Sequence, residues 1–525
     1  MDDSRDSLSL SDQPRLSDQQ SLSDQLSLSD QQSLLGPAYR PIMLSTLTLL
    51  ALSAFDGMSV AAALPEIGND LGIRRLSWVL TAFLLSSTVS MLAAGTVIDL
   101  LGVARTYRLT LVVFMVSSAL CTVAPALELL IAARVLQGIG GGMVMATTIT
   151  IIGLTIPDQL RSRAYALNSG VWGVMALVGP ALAALMVSVG SWRWIFAVNL
   201  PLVLIAGAIG WNRLNPERAP NIRAAADGPA DRPSFDTFGL ALVAIFTAVV
   251  LIGLSDLRRQ SFAAAGFAMV IGLVYWRHSA RASGAIFARR YFAEAPFGLL
   301  NAIPFTFFAG SLAIDAYIPV YVRGGLGRST SVAAFAVAFL AIGWTSGSFV
   351  TSRLLDRFDN ITVMLGGFAA TIPALVAAAL IFNSTTPLLV VFALSFLQGL
   401  GIGGVTNATV SLLQRMASPT EMGRASSAHQ FVRNLGGTFG TALAGAVLFA
   451  VVDSRLGSVE LVRSLLGGEG DAAVAGPARD AIAAGFRYAA IVAVVWTLIG
   501  LALALVTRRW LRDHPIESST REHTP

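Results

Sequence analysis

The sequence contains no lysine; all 36 of its basic residues are arginine. Charge of either sign is scarce, at 13% of 525 residues, where a soluble protein carries about 25%. Cysteine is nearly absent. Cys121 stands alone, which excludes an intrachain disulfide and a metal cluster built from thiolates. The histidines His278, His429, His514 and His523 are scattered and form no pair at helical metal-ligand spacing, so no metal is expected. The net charge of +5 is spread over short segments. No basic run is long enough to follow a phosphate backbone, which excludes nucleic acid as a partner. What remains is apolar: 54% of the residues are hydrophobic and the mean hydropathy is +0.68. A soluble chain with that balance could not keep its surface wet, so an ordinary soluble enzyme is excluded.

Residues 1–40 differ from the rest. Leu-Ser-Asp-Gln recurs from Leu10, Leu16, Leu22 and Leu28, too polar to offset its ordering entropy, so a disordered tail is expected. The first apolar segment starts after Pro41 and follows an acidic stretch, so no cleavable signal peptide is expected. A second polar tail covers 508–525.

Crossing a hydrocarbon core of roughly 30 Å takes about 20 helical residues. Apolar runs of that scale cover 42–64, 76–100, 106–125, 127–152, 164–189, 194–212, 236–255, 261–276, 297–322, 331–352, 361–382, 387–413, 425–451 and 484–506. The expectation is an all-α polytopic membrane protein with fourteen spans. An even number puts both tails on one side. On that side fall Arg105, Arg108, Arg161, Arg163, Arg213, Arg218, Arg223, Arg232, Arg277, Arg281, Arg289, Arg290, Arg353, Arg357, Arg415 and Arg424. Leaving aside the longer 452–483 loop, the other side has Arg74, Arg75, Arg193, Arg258, Arg259, Arg323 and Arg328. Arginine enrichment marks the cytoplasmic face of a cell membrane, so both termini are expected there.

An internal repeat divides the chain. Gln137, Gly138 and Gly140 in the fourth span match Gln398, Gly399 and Gly401 in the twelfth; Arg163-Ala164 matches Arg424-Ala425, and Gly179 matches Gly440, all at one offset of 261. The fourth span maps on the twelfth and the fifth on the thirteenth. Two six-span halves, 41–212 and 291–507, with two extra spans inside a linker region 213–290, account for that shift. Parallel repeats with a path between the halves are a transporter architecture.

Charge inside a span costs roughly 2.5–3.5 kcal/mol and usually works. Asp56, Arg134 and Asp315 each lie eight residues from the outer end of their span, about 12 Å deep. A protonatable carboxylate beside Arg134 is one reading, and a static ion pair that fixes packing is the other. Gln137, Gln398 and Asn407 are expected to add polar groups to a cavity. Asp99 and Asp356-Arg357 close the second and tenth spans. The Gly138–Gly142 run follows no strand, so close helix packing explains it better than a nucleotide loop.

These residues resemble a family. Asp56-x-x-x-Val60-Ala-Ala-Ala-Leu64-Pro65, Gly95-x-x-x-Asp99-x-x-Gly102-Val-Ala-Arg105, Arg134-x-x-Gln137-Gly138, Gly170-x-x-Gly173 followed by Gly179-Pro180, Trp192-Arg193-Trp194-Ile-Phe196-Ala-Val-Asn199-Leu-Pro201 and Arg433-Asn-Leu-Gly436-Gly437 stand in one order. Together they resemble the fourteen-span drug:proton antiporters of the major facilitator superfamily, from about Pro41 to Arg509. Two positions depart from the pattern: Val103 and Ala104 stand where basic residues are usual, and Ala183-Ala184 where a glycine pair is usual. The resemblance implies alternating access, with no enzyme activity and no cofactor. It implies a gate at Gly95, Asp99, Gly102 and Arg105, in which Asp356 and Arg357 are expected to share, proton coupling at Arg134, with Asp56 and Asp315 the expected carboxylates, and an antiporter motif at Gly170, Gly173, Gly179 and Pro180. The expected partners are protons, a small amphipathic substrate and the bilayer, with the chain acting as a monomer. Export of a lipid-like or endogenous metabolite, and a non-transporting sensor or channel, remain open.

Overall fold

A computed structural model of the chain describes residues 34, 36–37, 39–72, 75–214, 235–253, 259–282, 284–456 and 472–514. The four Leu-Ser-Asp-Gln repeats, Arg74, Arg218, Arg223, Arg232, Arg258, residues 457–471 of the long loop and the tail beyond His514 lie outside them.

The described elements are helical. In chain order they are α1 (Arg40–Leu71), α2 (Trp78–Leu101), α3 (Val103–Val123), α4 (Leu127–Thr155) and α5 (Asp158–Val189), α6 (Trp194–Gly210), α7 (Thr237–Gly253) and α8 (Arg259–Ser279). Then follow α9 (Phe297–Gly325), α10 (Thr330–Leu354), α11 (Asn360–Ile381), α12 (Leu388–Met416), α13 (Met422–Leu456) and α14 (Ala472–Asp513). Eleven of them are long and apolar enough to cross a bilayer; α6 and α7 are apolar but shorter. Helix α8 has 21 residues, with Arg259, Arg277 and His278 diluting its apolar run. The structure thus supports eleven spans by length and composition, and the expectation of fourteen counts α6, α7 and α8 as well. A helix is the natural form for such runs, because it satisfies its own backbone polar groups where no water can.

Helices α1–α6 pack on one another, and α9–α14 do likewise. The most extensive contacts inside each half, α2 with α4 and α10 with α12, fall on equivalent repeat positions. Glycine allows them. A Cβ on Gly138 would overlap the Phe83 backbone and Ser86 of α2, and one on the matching Gly399 would overlap Leu340 and Trp344 of α10. The glycine run is therefore a helix-packing surface.

Between the halves, α2 meets α13 and α5 meets α10, again an equivalent pair. Helix α7 packs on α8 and also touches both α2 and α13. The end where α1 begins and α14 finishes is called the terminal end below, and the opposite one the far end.

Candidate functional site

Helix α4 places Arg134 and Gln137 one turn apart on one face, as i and i+3 positions must be. That face meets Asp56 of α1. The Arg134 Nη1 group donates to Asp56 Oδ2 at 2.5 Å and to Gln137 Oε1 at 2.8 Å, and Arg134 Nε donates to the Val79 carbonyl of α2 at 3.1 Å. Gln137 Nε2 donates to Asp56 Oδ1 at 3.0 Å and to Ser118 Oγ of α3 at 3.1 Å. Asn199 Nδ2 of α6 reaches the same hydroxyl at 3.4 Å. Asp56, Arg134, Gln137 and Asn199 are all fully buried. The guanidinium also lies over the Phe83 ring, 4.1 Å from its centroid. Five helices thus supply one network around an ion pair.

Asp315 does not join it. It ends the first α-helical stretch of α9, Phe297–Asp315, and accepts a 2.7 Å hydrogen bond from Gln398 Nε2 of α12, which also donates to the Ser311 carbonyl at 2.7 Å. Asp315 Oδ2 is buried with no partner. The position in α12 that matches Arg134 is Ser395, so this carboxylate faces an amide and no guanidinium. Asn407, also in α12, donates to the Ser348 carbonyl of α10 at 3.4 Å, which joins two helices of one half.

Near the terminal end the halves are clasped. Arg424 of α13 donates through Nε to Asp99 of α2, and Arg163 of α5 bonds Asp356 beyond α10 at 3.1 Å. Arg163 and Arg424 are matched residues of the repeat, so each half offers its arginine to the other half's aspartate. A Cβ on Gly95 would lie 2.9 Å from the Arg424 Cα, and only glycine admits that approach. Gly102 takes φ +79°, a left-handed turn that favours glycine, between α2 and α3. Arg105 and Arg357 are exposed and are not among the residues that clasp. Tyr165 bonds Gln414, whose Nε2 donates to the Ile149 carbonyl at 3.0 Å.

Gly170 and Gly173 of α5 lie against Phe349 and Thr345 of α10. The Gly179 carbonyl accepts from Ser59 of α1 at 3.2 Å, and Pro180 follows inside the helix. The motif thus faces two neighbours: its first glycines the other half, its last one α1. At the far end Asp70 accepts from Arg193 at 2.6 Å and from Trp192 Nε1 at 3.0 Å, while Arg193 also donates to the Ala124 carbonyl at 3.0 Å. The Arg193 and Trp192 hydrogen bonds hold the Asp70 carboxyl below its ordinary value.

Sequence reasoning did not single out Ser118, His429 or Tyr165. Asn199 stood inside the Trp192–Pro201 motif, a signal that it has a fixed neighbour. Among the described residues no group of three His, Cys, Asp or Glu side chains could hold a metal ion.

The Major Facilitator Superfamily model matches residues 46–441. The chain is 30% identical over 413 residues to the multidrug transporter protein MdtP of Bacillus subtilis, covering 76% of this chain and 73% of that one. It is 31% identical over 434 residues to the probable multidrug-efflux transporter Rv1634 of Mycobacterium tuberculosis, covering 79% and 88%. In structure it resembles the proton:xylose symporter XylE, with a TM-score of 0.60 at 12% identity over 90% of this chain and 96% of that one. At that identity the likeness is one of fold.

Proposed function

The chain belongs to the major facilitator superfamily, and on that premise we propose that it is a fourteen-span, proton-coupled exporter of amphipathic drug-like molecules. Multidrug transport in the names of relatives about 30% identical supports the substrate class. Fourteen spans follow if α6, α7 and α8 cross with the eleven longer helices. The excess of arginine at the terminal end supports a cytoplasmic location for both termini in the cell membrane. The bundles 41–212 and 291–507, with 213–290 between them, are then the two moving bodies.

One observation carries the coupling: each half buries an aspartate against a glutamine at matching places, Asp56 with Gln137 and Asp315 with Gln398. A carboxylate there is expensive unless it is paired, protonated or met by substrate. Substrate enters from the cytoplasm or inner leaflet and favours the ionised form. A proton from outside neutralises the carboxylate, releases the substrate and resets the carrier. The halves rock about the layer between them, and opening toward the cytoplasm separates Asp99 from Arg424 and Asp356 from Arg163. About 100 mV contributes about 2.3 kcal/mol per net charge moved. For a neutral compound exchanged for one proton, that sustains a gradient of nearly fifty-fold, at about 1.4 kcal/mol per decade.

Proteoliposomes with an imposed pH gradient test the reading. Dye export should follow the gradient in the wild type and fall to background in Asp56→Asn and in Asp315→Asn. Export that ignores the gradient, or that survives both substitutions, overturns proton coupling.

A further inference from the structure

Helix α13 carries a cation that none of the groups above neutralises. Arg433 lies nine residues beyond Arg424, about 13 Å past the clasp along the helix. The adjacent Asn434 touches the other half, with Nδ2 3.6 Å from Met91 Sδ, so Arg433 stands on the helix at the level where the halves still meet. Among the described residues no carboxylate forms an ion pair with it and no acceptor hydrogen-bonds it. Its Nε is buried without a partner. Its close neighbour is an aromatic face: Phe308, with the ring centroid 5.4 Å from Cζ.

The nearby candidates for compensation do not bond it, although Asp315 Oδ2 and His429 Nε2 are themselves buried without a partner. His429, one turn earlier, is paired through Nδ1 with Asn301 Oδ1 at 3.1 Å. The Asn301 amide nitrogen donates to the Tyr291 carbonyl, so Asn301 Oδ1 is the acceptor and His429 Nδ1 carries the proton; the ring brings no negative charge. Asp315 lies seven residues beyond Phe308 on α9, about 10 Å farther along, and is held by Gln398. Arginine keeps its charge under any ordinary condition; the residue is half-buried, and a partly desolvated charge without a partner is costly. Its planar fork is the side chain best shaped for a carboxylate, sulfonate or phosphate.

The surroundings fit an aromatic partner. Trp344 of α10 packs edge-on to Phe308 at 6.0 Å, and its Nε1–H is buried with no acceptor. Phe305, Phe439 and Trp496 form a second aromatic cluster on α9, α13 and α14, with Trp496 edge-on to both phenylalanines. We propose that Arg433, with Phe308 and Trp344, is a substrate subsite that recognises the anionic group of an aromatic amphipath, so that the carrier prefers compounds bearing a carboxylate or sulfonate over their neutral-group analogues. The proposal rests on the export reading and names which drug-like molecules that reading concerns.

Two dyes with one frame separate the ideas: a rhodamine free acid and its methyl ester, both with the same cationic ring system. Binding is read by fluorescence anisotropy with the full chain in lipid nanodiscs, in a zwitterionic buffer without chloride. The wild type should bind the acid about tenfold or more tighter than the ester, the scale of one charge-assisted hydrogen bond. Arg433→Gln should bring that ratio to near one, and Arg433→Lys should restore part of it, which also shows that the fold tolerates change at this position. Equal binding of the two dyes by the wild type, or an unchanged ratio in Arg433→Gln, overturns the subsite alone. Loss of the ratio when chloride is added assigns the site to an inorganic anion and also overturns it. Failure of the wild type to bind either dye counts against the drug-export reading and takes the subsite with it.

Discussion

The two halves bury the same acid on the same kind of scaffold and treat its charge in opposite ways. In the first half Asp56 bonds Gln137 and is neutralised by Arg134 one turn away on the same helix. In the second, Asp315 bonds Gln398, and the place of the arginine is taken by Ser395. The second half has a guanidinium too, but Arg433 stands apart from the acid and, among the described residues, is bonded to no carboxylate. One half therefore closes its electrostatics internally, and the other leaves an acid and a cation without charged partners among the described residues. A closed pair resists change, since separating it strands two charges in a dry interior. An open acid is completed by a proton or a cationic group arriving from outside. The duplication supplied one frame, and the presence or absence of a single arginine in it separates an acid paired with a cation from one paired with an amide alone.

That contrast can be broken in several ways. Arg134→Ala should have the largest effect. It strands Asp56, and removal of one partner from a buried pair typically costs about 3–5 kcal/mol; denaturant unfolding in micelles would read it, and a loss below about 1 kcal/mol would show that Asp56 does not depend on its cation. Asp315→Asn should do the reverse. With no partner charge to strand, stability should stay within about 1 kcal/mol of wild type, the scale of one neutral hydrogen bond, while pH-driven flux disappears. A large loss of stability with flux retained would make Asp315 structural and erase the distinction between the halves.

The clasp gives a smaller test. Side chains of Asp99 and Arg424 keep 11% and 21% of their exposure, against 39% and 52% for Asp356 and Arg163. Asp356→Asn should therefore cost only about 0.2–1 kcal/mol, the range of exposed pairs, and Asp99→Asn more. Spin labels across α2 and α13 should show a wider terminal end in the Asp99 variant than in the Asp356 variant; the reverse order would mean that burial does not rank the pairs. The smallest effect concerns Asp70. Its carboxyl is held below the ordinary value by Arg193 and Trp192, so the contact contributes fully above the usual carboxylate range, about pH 4 and higher, and is lost as pH falls through the lowered value. Melting curves from pH 6 to pH 3 should drop at the acid end in the wild type and less steeply in Asp70→Asn; parallel curves would remove Asp70 from the far-end staple.

Much of the helical frame is readable in the sequence, because hydropathy decides where a helix is compulsory in lipid. The proximity of Asp56 and Arg134 is readable as well: two opposite charges at one depth have little choice but to meet. Depth, however, is one coordinate. It placed Asp315 in the same layer as Asp56 and said nothing of its direction around the helix axis, so its bond to Gln398 was not foreseen. The repeat pointed to Gln398 through its match with Gln137 but could not say which carboxylate it serves. The clasp partners of Asp99 and Asp356 lie 325 and 193 residues away, and only the approach of α2 to α13 and of α10 to α5 brings them together. Helices as short as α6, or as diluted as α8, are where length and composition cease to decide.

The exchange of partners in the clasp has a further consequence. Aspartate of the first half meets arginine of the second, and aspartate of the second meets arginine of the first. That reciprocity is the signature of an isologous contact, the kind by which two identical subunits dimerise about a twofold axis. A single ancestral six-helix unit with one such aspartate and one such arginine would have been self-complementary before any fusion. The joined chain inherits the cooperativity of that arrangement. A slip of one helical turn, about 5.4 Å, mismatches both pairs together, so the closure behaves as one event with two contacts.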